Sequence, residues 1–286
     1  MCIDAIIFSR FDSITPLLFF MIPEHILNRK GPRSLKDLDQ EVLNYLNKGQ
    51  IETANLMEWL AVDQLLLLKE ILKHLGKTDW YDSFYEAVSS QKKPSANSNT
   101  KVIGTTFLEL TNDQGILDYL ATHTSDVPRC WATYWAGIRE TDIHKRLEVI
   151  KPFAADSHFG VREVAIFASK EGIIDNLDEA IAILSGWTMD PDENVRRYAA
   201  EATRPIGVWT KKIDTLKEQP ELGIPILEPL KADPSKYLRD SVGNWLNDAS
   251  KSQPKWVEQI CTSWEAKSQT KETKYVLKKA LRSINK

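Results

Sequence analysis

The sequence predicts an all-α protein: an α-solenoid of stacked antiparallel helix pairs, capped by further helices on its N-terminal side. Two observations carry this expectation. The first is a repeat in which an Asp is followed five residues later by an aliphatic residue, then an Arg, then a small or aliphatic residue three further on. Its copies are Asp156/Val161/Arg162/Ala165, Asp190/Val195/Arg196/Ala199 and Asp233/Leu238/Arg239/Val242. A weaker copy, Arg129 with Ala132, lies upstream, so the arginines step by 33, 34 and 43 residues. Spacings of that size indicate helix pairs that cannot bury their apolar faces alone and therefore stack. The second observation is an amphipathic run ahead of each full copy, at residues 143–153, 177–187 and 224–230, as expected of the first helix of each pair.

Within a repeat, the Asp closes the first helix and helps open the second, with Pro191 or Pro234 after it in two copies. The aliphatic and small positions bury the second helix. An Arg fixed in register is expected to serve the repeat itself, by bonding carbonyls or the Asp of a neighbouring copy. Function is therefore sought where the copies differ.

Upstream of the repeats, residues 35–46 and 52–75 read as two helices, the second with Leu56, Leu60, Leu65, Ile71 and Leu72 on one broad face and with Gly49 and Gly76 as punctuation. The stretch QKKPSANSNT at 91–100 is the most loop-like in the chain. It divides an N-terminal helical region, residues 21–100, from a repeat domain, residues 101–286. Residues 1–20 mix apolar runs with Asp4, Arg10 and Asp12 and show no cleavage signal. They are expected to be an extension preceding a natural start at Met21. Their apolar run at 16–22 is too short to span a bilayer.

At 286 residues and 42% hydrophobic content, the chain can bury a large core. A net charge of −3 argues against indiscriminate nucleic-acid binding, yet residues 251–286 hold nine Lys/Arg against three Asp/Glu. That segment is either a solvated last helix pair or a phosphate-contacting edge. Cys2, Cys130 and Cys261 are scattered, with no CxxC or paired His spacing, which indicates neither a disulfide framework nor a zinc site and fits a reducing cytoplasm. No Gly-rich phosphate loop, HExxH, GxSxG or nucleotide fingerprint occurs, so no metal and no cofactor are expected. A monomer is the default.

The second helices of such pairs line a concave surface, and their polar stripes define the candidate site. Arg197, Glu201 and Arg204 fall at i, i+4 and i+7. Asp240, Asn244, Asn247 and Lys251 form a similar stripe with Asp248 beside it. Glu163, Ile166 and Lys170 come from the helix after Phe159, and Trp131, Trp135 and Arg139 from the helix after Pro128. Trp131 and Trp135 can equally be core, and an Arg197/Glu201 pair can merely decorate a solvated face. Asn244, Asn247 and Asp248 demand more explanation, because Asn and Asp are poor residues inside a helix. A break at Arg204-Pro205 precedes a long connection that carries Trp209.

Several of these segments resemble a known family. VRRYAAEATRP at 195–205 is similar to the V-R-R-x-x-S-E-G-T-R-P segment of bacterial HEAT-like-repeat DNA alkylation repair proteins of the AlkC type, and SVGNWLNDASKSQPKWV at 241–257 to their S-V-A-N-x-L-N-D stretch and to the matching helix of AlkD-type relatives. RKGPRSLKDL and ETANLMEWLAVD resemble the AlkC-like N-terminal region. The resemblance implies a monofunctional glycosylase that excises cationic alkylpurines such as 3-methyladenine from duplex DNA without deep base flipping. It implies carboxylate catalysis by Asp248, Glu163 or Glu201. By motif match it carries Arg204, Trp209, Asn244 and Asn247 into the DNA-contacting set, to which the helix-face stripes add Arg197, Lys251 and Trp135, with Arg162 and His158 from the departing run. One departure stands out. Where the family has Glu before Phe in an E-F-x-x-R run, this chain has His158 before Phe159 and Arg162, which leaves open a groove that binds bent or branched DNA without cutting it. A HEAT-like protein scaffold that never touches nucleic acid is the third reading, favoured by the slightly acidic composition.

Overall fold

The computed structural model describes residues 22–284. Residues 1–20, read above as an extension, lie outside them. Residues 22–30 form one unit and those from Gly31 onward another. The first carries a single helical turn, α1 (Glu24–Leu27).

From Gly31 onward the described residues are helical and contain no strand. The cap comprises α2 (Gln40–Asn47), α3 (Leu56–Ala61), α4 (Gln64–His74) and α5 (Tyr81–Ser89). Asp39, Asn55 and Asp63 start α2, α3 and α4 by accepting backbone N–H groups with their side chains. Gly49 and Gly76 follow helices with φ of +69° and +65°, the left-handed conformation in which Gly has no steric penalty. The stretch expected to be one helix over 52–75 is split at Val62 and Asp63, because Asp63 caps a new helix there.

The next helix, α6 (Ala96–Leu110), begins inside the stretch expected to be loop. Ser95 and Ser98 form a reciprocal capping box that starts it, so Ser and Asn, which look loop-like in sequence, here nucleate a helix. Pairs then follow in order: α7 (Gln114–Ala121) with α8 (Asp126–Arg139), α9 (Ile143–Ala154) with α10 (Phe159–Asp175), α11 (Leu177–Trp187) with α12 (Glu193–Ala202). The long connection after Pro205 holds the short α13 (Asp214–Glu218). The last pairs are α14 (Ile224–Leu230) with α15 (Lys236–Ala249), and α16 (Pro254–Lys267) with α17 (Lys271–Ala280).

The second helices α8, α10, α12, α15 and α17 form one continuous layer, each packed on the next, with α6 completing it beside α8. Fully buried Trp131, Trp135 and Trp245 anchor this layer, and Trp264 is buried on α16 beside it. The α6–α8 approach is close enough that a Cβ at Gly104 would meet the Trp131 carbonyl oxygen at 2.6 Å.

Candidate nucleic-acid interface

The recurring arginines share one geometry. Arg162 Nη1 donates to the carbonyls of Asp156 and Ser157 at 2.6 and 2.8 Å, Arg196 Nη1 to Asp190 and Pro191 at 2.8 and 3.1 Å, and Arg239 Nη1 to Asp233 and Pro234, both at 2.7 Å. Arg129 Nη1 does the same to His123 and Thr124. The repeat Asp shapes the turn that presents these carbonyls, since Asp156, Asp190 and Asp233 each accept the N–H two residues on. In the upstream copy His123 Nδ1 takes that place, accepting Ser125 N–H at 3.0 Å. Burial chiefly pushes the His123 ring down to about 4, although the Ser125 bond opposes it, and the ring stays neutral and able to accept. No Asp marks this copy, which is why its pattern is weak in sequence.

The far side of each arginine alternates. Arg129 and Arg196 reach the Asp of the next copy, Arg129 Nε to Asp156 at 2.9 Å and Arg196 Nε to Asp233 at 2.8 Å. Arg162 and Arg239 instead lie 5.5 Å from the ring centroids of Tyr237 and Tyr275. The next-copy acid of Arg162, Asp190, is taken by Lys151 at 2.8 Å.

Between these clamps runs a row of alternating charge across α10, α12 and α15. Glu163 Oε1 accepts from Arg197 Nη2 at 2.6 Å, and Arg197 Nη2 lies 3.9 Å from Glu201. Glu201 accepts from Arg204 Nη1 at 2.6 Å. Arg204 Nη2 sits 2.7 Å from Asp248 Oδ2, and Lys251 Nζ 3.0 Å from Asp248 Oδ1. The row thus unites six of the residues expected at the site. Both arginines are buried. For Arg204, burial alone would lower the guanidinium pKa, but the Glu201 and Asp248 carboxylates outweigh it and raise it. The Arg197 guanidinium also stacks 4.2 Å from the Tyr237 ring centroid. Exposure separates the three carboxylates: the Glu163 side chain is 40% exposed, against 12% for Glu201 and 4% for Asp248.

Other expected site residues have different surroundings. Asn247 Nδ2 donates to the Ala280 carbonyl and Ser283 Oγ, and Asn244 Oδ1 accepts from Arg282, so both asparagines tie α15 to the C-terminal helix. Trp135 is core, stacked parallel to Phe107 at 5.9 Å. His158 caps α10: its Nδ1 accepts Gly160 N–H at 3.1 Å, and its Nε2 donates to the Thr53 carbonyl at 2.7 Å. Thr53 in turn donates to Asp126 through both N–H and Oγ1. Burial raises the pKa of Asp126, whose Oδ2 lies 3.4 Å from His158 Nδ1. His158 and Asn247 are therefore buried with hydrogen-bond partners, and Trp135 is buried in apolar packing.

Trp209 stands out by exposure, at 78%, and by a φ of +60°. A bulky residue in that conformation is strained. Its loop is closed by Ile213 N–H donating to the Pro205 carbonyl. The loop borders a cavity of about 180 Å³ lined by Tyr134, Phe167, Lys170, Glu171, Trp209 and Lys211. Lys170 was legible as the residue seven beyond Glu163; the cavity was not. Among the described residues no cluster of three or more His, Cys, Asp or Glu is arranged to hold a metal, Cys130 and Cys261 are free thiols, and no helix is long and apolar enough to cross a membrane.

Residues 161–284, which span the charge row, match the family model described as DNA alkylation repair enzyme. The uncharacterized protein YhaZ of Bacillus subtilis (strain 168) is 34% identical over 137 residues, 48% of this chain and 37% of that protein. The alkylpurine DNA glycosylase AlkC of Pseudomonas fluorescens, solved bound to DNA containing an abasic site analog, is similar in structure with a TM-score of 0.65 at 20% identity, over 90% of this chain and 66% of that one. AlkD2 from Streptococcus mutans gives 0.56 at 24% identity, over 71% and 97%. At these identities the structural likeness is one of fold, the HEAT-like repeat α-solenoid. The chain spans little more than a third of the curated relative it matches and about two thirds of the AlkC chain.

Proposed function

We propose that this protein acts in DNA alkylation repair, as a glycosylase that excises cationic alkylpurines of the 3-methyladenine type from duplex DNA. The observation that carries the proposal is Glu163. It is the exposed carboxylate of a charge row whose other carboxylates are closed in by Arg204. Alkylation at N3 or N7 places a positive charge on the base, which then leaves without protonation by a general acid. The site has only to offset the positive charge that develops on the deoxyribose and to admit water, as a carboxylate does in glycoside cleavage. Glu163 supplies that field. Arg197, held by Glu201 and Tyr237, fixes its direction, while Asp248 and Glu201 act through Arg204. Lys251 and the basic C-terminal helices take the phosphates, and Trp209 stacks on or shapes the sugar-base edge.

The test is release of free 3-methyladenine from alkylated duplex DNA by the full chain. Release that disappears in Glu163→Gln supports the proposal; no release at any enzyme excess refutes it. The burial of His158, where relatives of the AlkC type place a Glu, favours a second reading, a DNA-structure binder without excision. Salt-dependent duplex binding without base release selects that one.

A further inference from the structure

The proposed excision makes no use of Lys170. This residue lies on α10 two turns beyond Glu163, on the same face, and its side chain is buried. Nζ donates to the carbonyls of Ala202 at 2.8 Å and Arg204 at 3.3 Å, groups left open where α12 ends. A neutral amine fills those two acceptors with its two N–H bonds and keeps its lone pair. Burial is the main cause that pushes the Lys170 ammonium down to about 7; Glu201 opposes the shift and Arg204 adds to it. Near neutral pH Lys170 is thus shared between amine and ammonium rather than an obligate cation. It also lines the cavity bordered by Tyr134, Phe167 and the exposed Trp209. Two further lysines line the same cavity, Lys101 and Lys211, the latter paired with Glu171 at 2.6 Å. Aromatic walls with cations around them suit a sugar in a polyanionic strand.

We propose that Lys170 is a reactive amine of this cleft, which condenses with the C1′ aldehyde of an abasic deoxyribose in duplex DNA. Nζ adds to the aldehyde carbon of the ring-opened sugar to give a carbinolamine. Loss of water leaves the imine, and addition of water reverses the link and restores both the lysine and the aldehyde. No oxidant or other co-reactant enters. The inference rests on the glycosylase reading, since an abasic sugar is what that excision leaves behind. It adds a reversible covalent hold on the product.

The experiment supplies the abasic site directly, as a duplex from which a single uracil has been removed enzymatically. Sodium borohydride delivers hydride to the imine carbon and turns the link into a stable secondary amine, read as a crosslinked band on a denaturing gel. The wild type is expected to crosslink. Lys170→Arg, which keeps donors for the two carbonyls, is expected to lose at least about tenfold in yield, while Lys101→Arg and Lys211→Arg keep it. Peptide mapping of the wild-type adduct places the link on Lys170 without relying on any variant's folding. A wild type that binds this duplex but does not crosslink, or an adduct that maps to another residue, overturns the proposal. Excision of alkylbases without a crosslink sinks this inference alone. A crosslink at Lys170 in a chain that never excises supports it and sinks the glycosylase reading.

Discussion

Arg204 and Asp248 join α12 to α15 through a buried ion pair, Nη2 to Oδ2 at 2.7 Å and Nε to Oδ2 at 2.9 Å. The pair links the two segments that most resemble alkylation repair proteins, and it gives Asp248 a structural duty that precedes any catalytic one. Removing one partner leaves the other charge buried and undercompensated. Asp248→Asn is therefore expected to destabilise the fold by about 3 kcal/mol. A double-mutant cycle with Arg204→Met should return a coupling of about 2 kcal/mol. Urea unfolding measures both, and an Asp248→Asn midpoint equal to wild type would contradict this reading of the pair.

Glu163 should behave in the opposite way. Its side chain is 40% exposed and its bond to Arg197 is open to solvent at one end, so Glu163→Gln is expected to change stability by less than about 1 kcal/mol. Single-turnover excision should fall by about 10²-fold with little change in DNA affinity, as expected when a charge that acts mainly in the transition state is removed. A rate within a factor of about 3 of wild type would remove Glu163 from the chemistry.

Replacing His158 tests a cap rather than a groove. His158→Ala loses the Nδ1 acceptor for Gly160 N–H and should cost about 1 kcal/mol, whereas His158→Asn keeps an acceptor and should cost less. His158→Glu sets a second carboxylate against buried Asp126, which lies 3.4 Å from the present ring, and should be the least stable of the three. If thermal melts rank Glu above Ala, the neighbourhood of Asp126 has been misjudged.

Trp209 can meet a ligand because its side chain is 78% exposed and little packing would be lost with it. Trp209→Ala should leave the melting temperature unchanged and weaken duplex binding by about 1–3 kcal/mol, the range for a stacked base. Lys251→Gln should instead reduce the slope of log affinity against log salt by about 1. Fluorescence anisotropy at three salt concentrations separates the two effects. Unchanged affinity and slope in both variants would favour the scaffold reading.

Lys170 gives a pH dependence with a defined sign. Its folded-state pKa is lowered from 10.5 to about 7, mainly by burial, so between those values the unfolded chain binds a proton that the folded chain has released. Stability contributed at this site therefore rises with pH across the window, with a slope of at most about 1.4 kcal/mol per pH unit. Lys170→Met cannot titrate. The wild type should gain on this variant as pH is raised from 7 to 9 in urea unfolding, and a difference that stays flat would mean that the ammonium keeps an ordinary pKa.

The repeat pattern was legible because its causes are local. Asp156, Asp190 and Asp233 each close a turn that Arg162, Arg196 and Arg239 brace within six residues, and the runs at 143–153, 177–187 and 224–230 correspond to α9, α11 and α14. The glycine stops at Gly49 and Gly76 were likewise legible from backbone preference alone. The start of α6 was not, because Ser and Asn favour both loops and helix starts, and only the reciprocal Ser95/Ser98 bonds decide between them.

By itself, the sequence determined the solenoid, the register of its helix pairs and which charged residues share a helix face, since each follows from spacing along one chain. Which charges meet was decided by tertiary structure: Glu163 with Arg197, 34 residues apart, and Arg204 with Asp248, 44 apart. So was the burial of His158 against Thr53, 105 residues away, and the cavity that Lys170 shares with Trp209. Helical phase tells which way a side chain leaves its own helix. Burial and partnership depend on what the neighbouring helix places opposite, and that is a property of the packed layer.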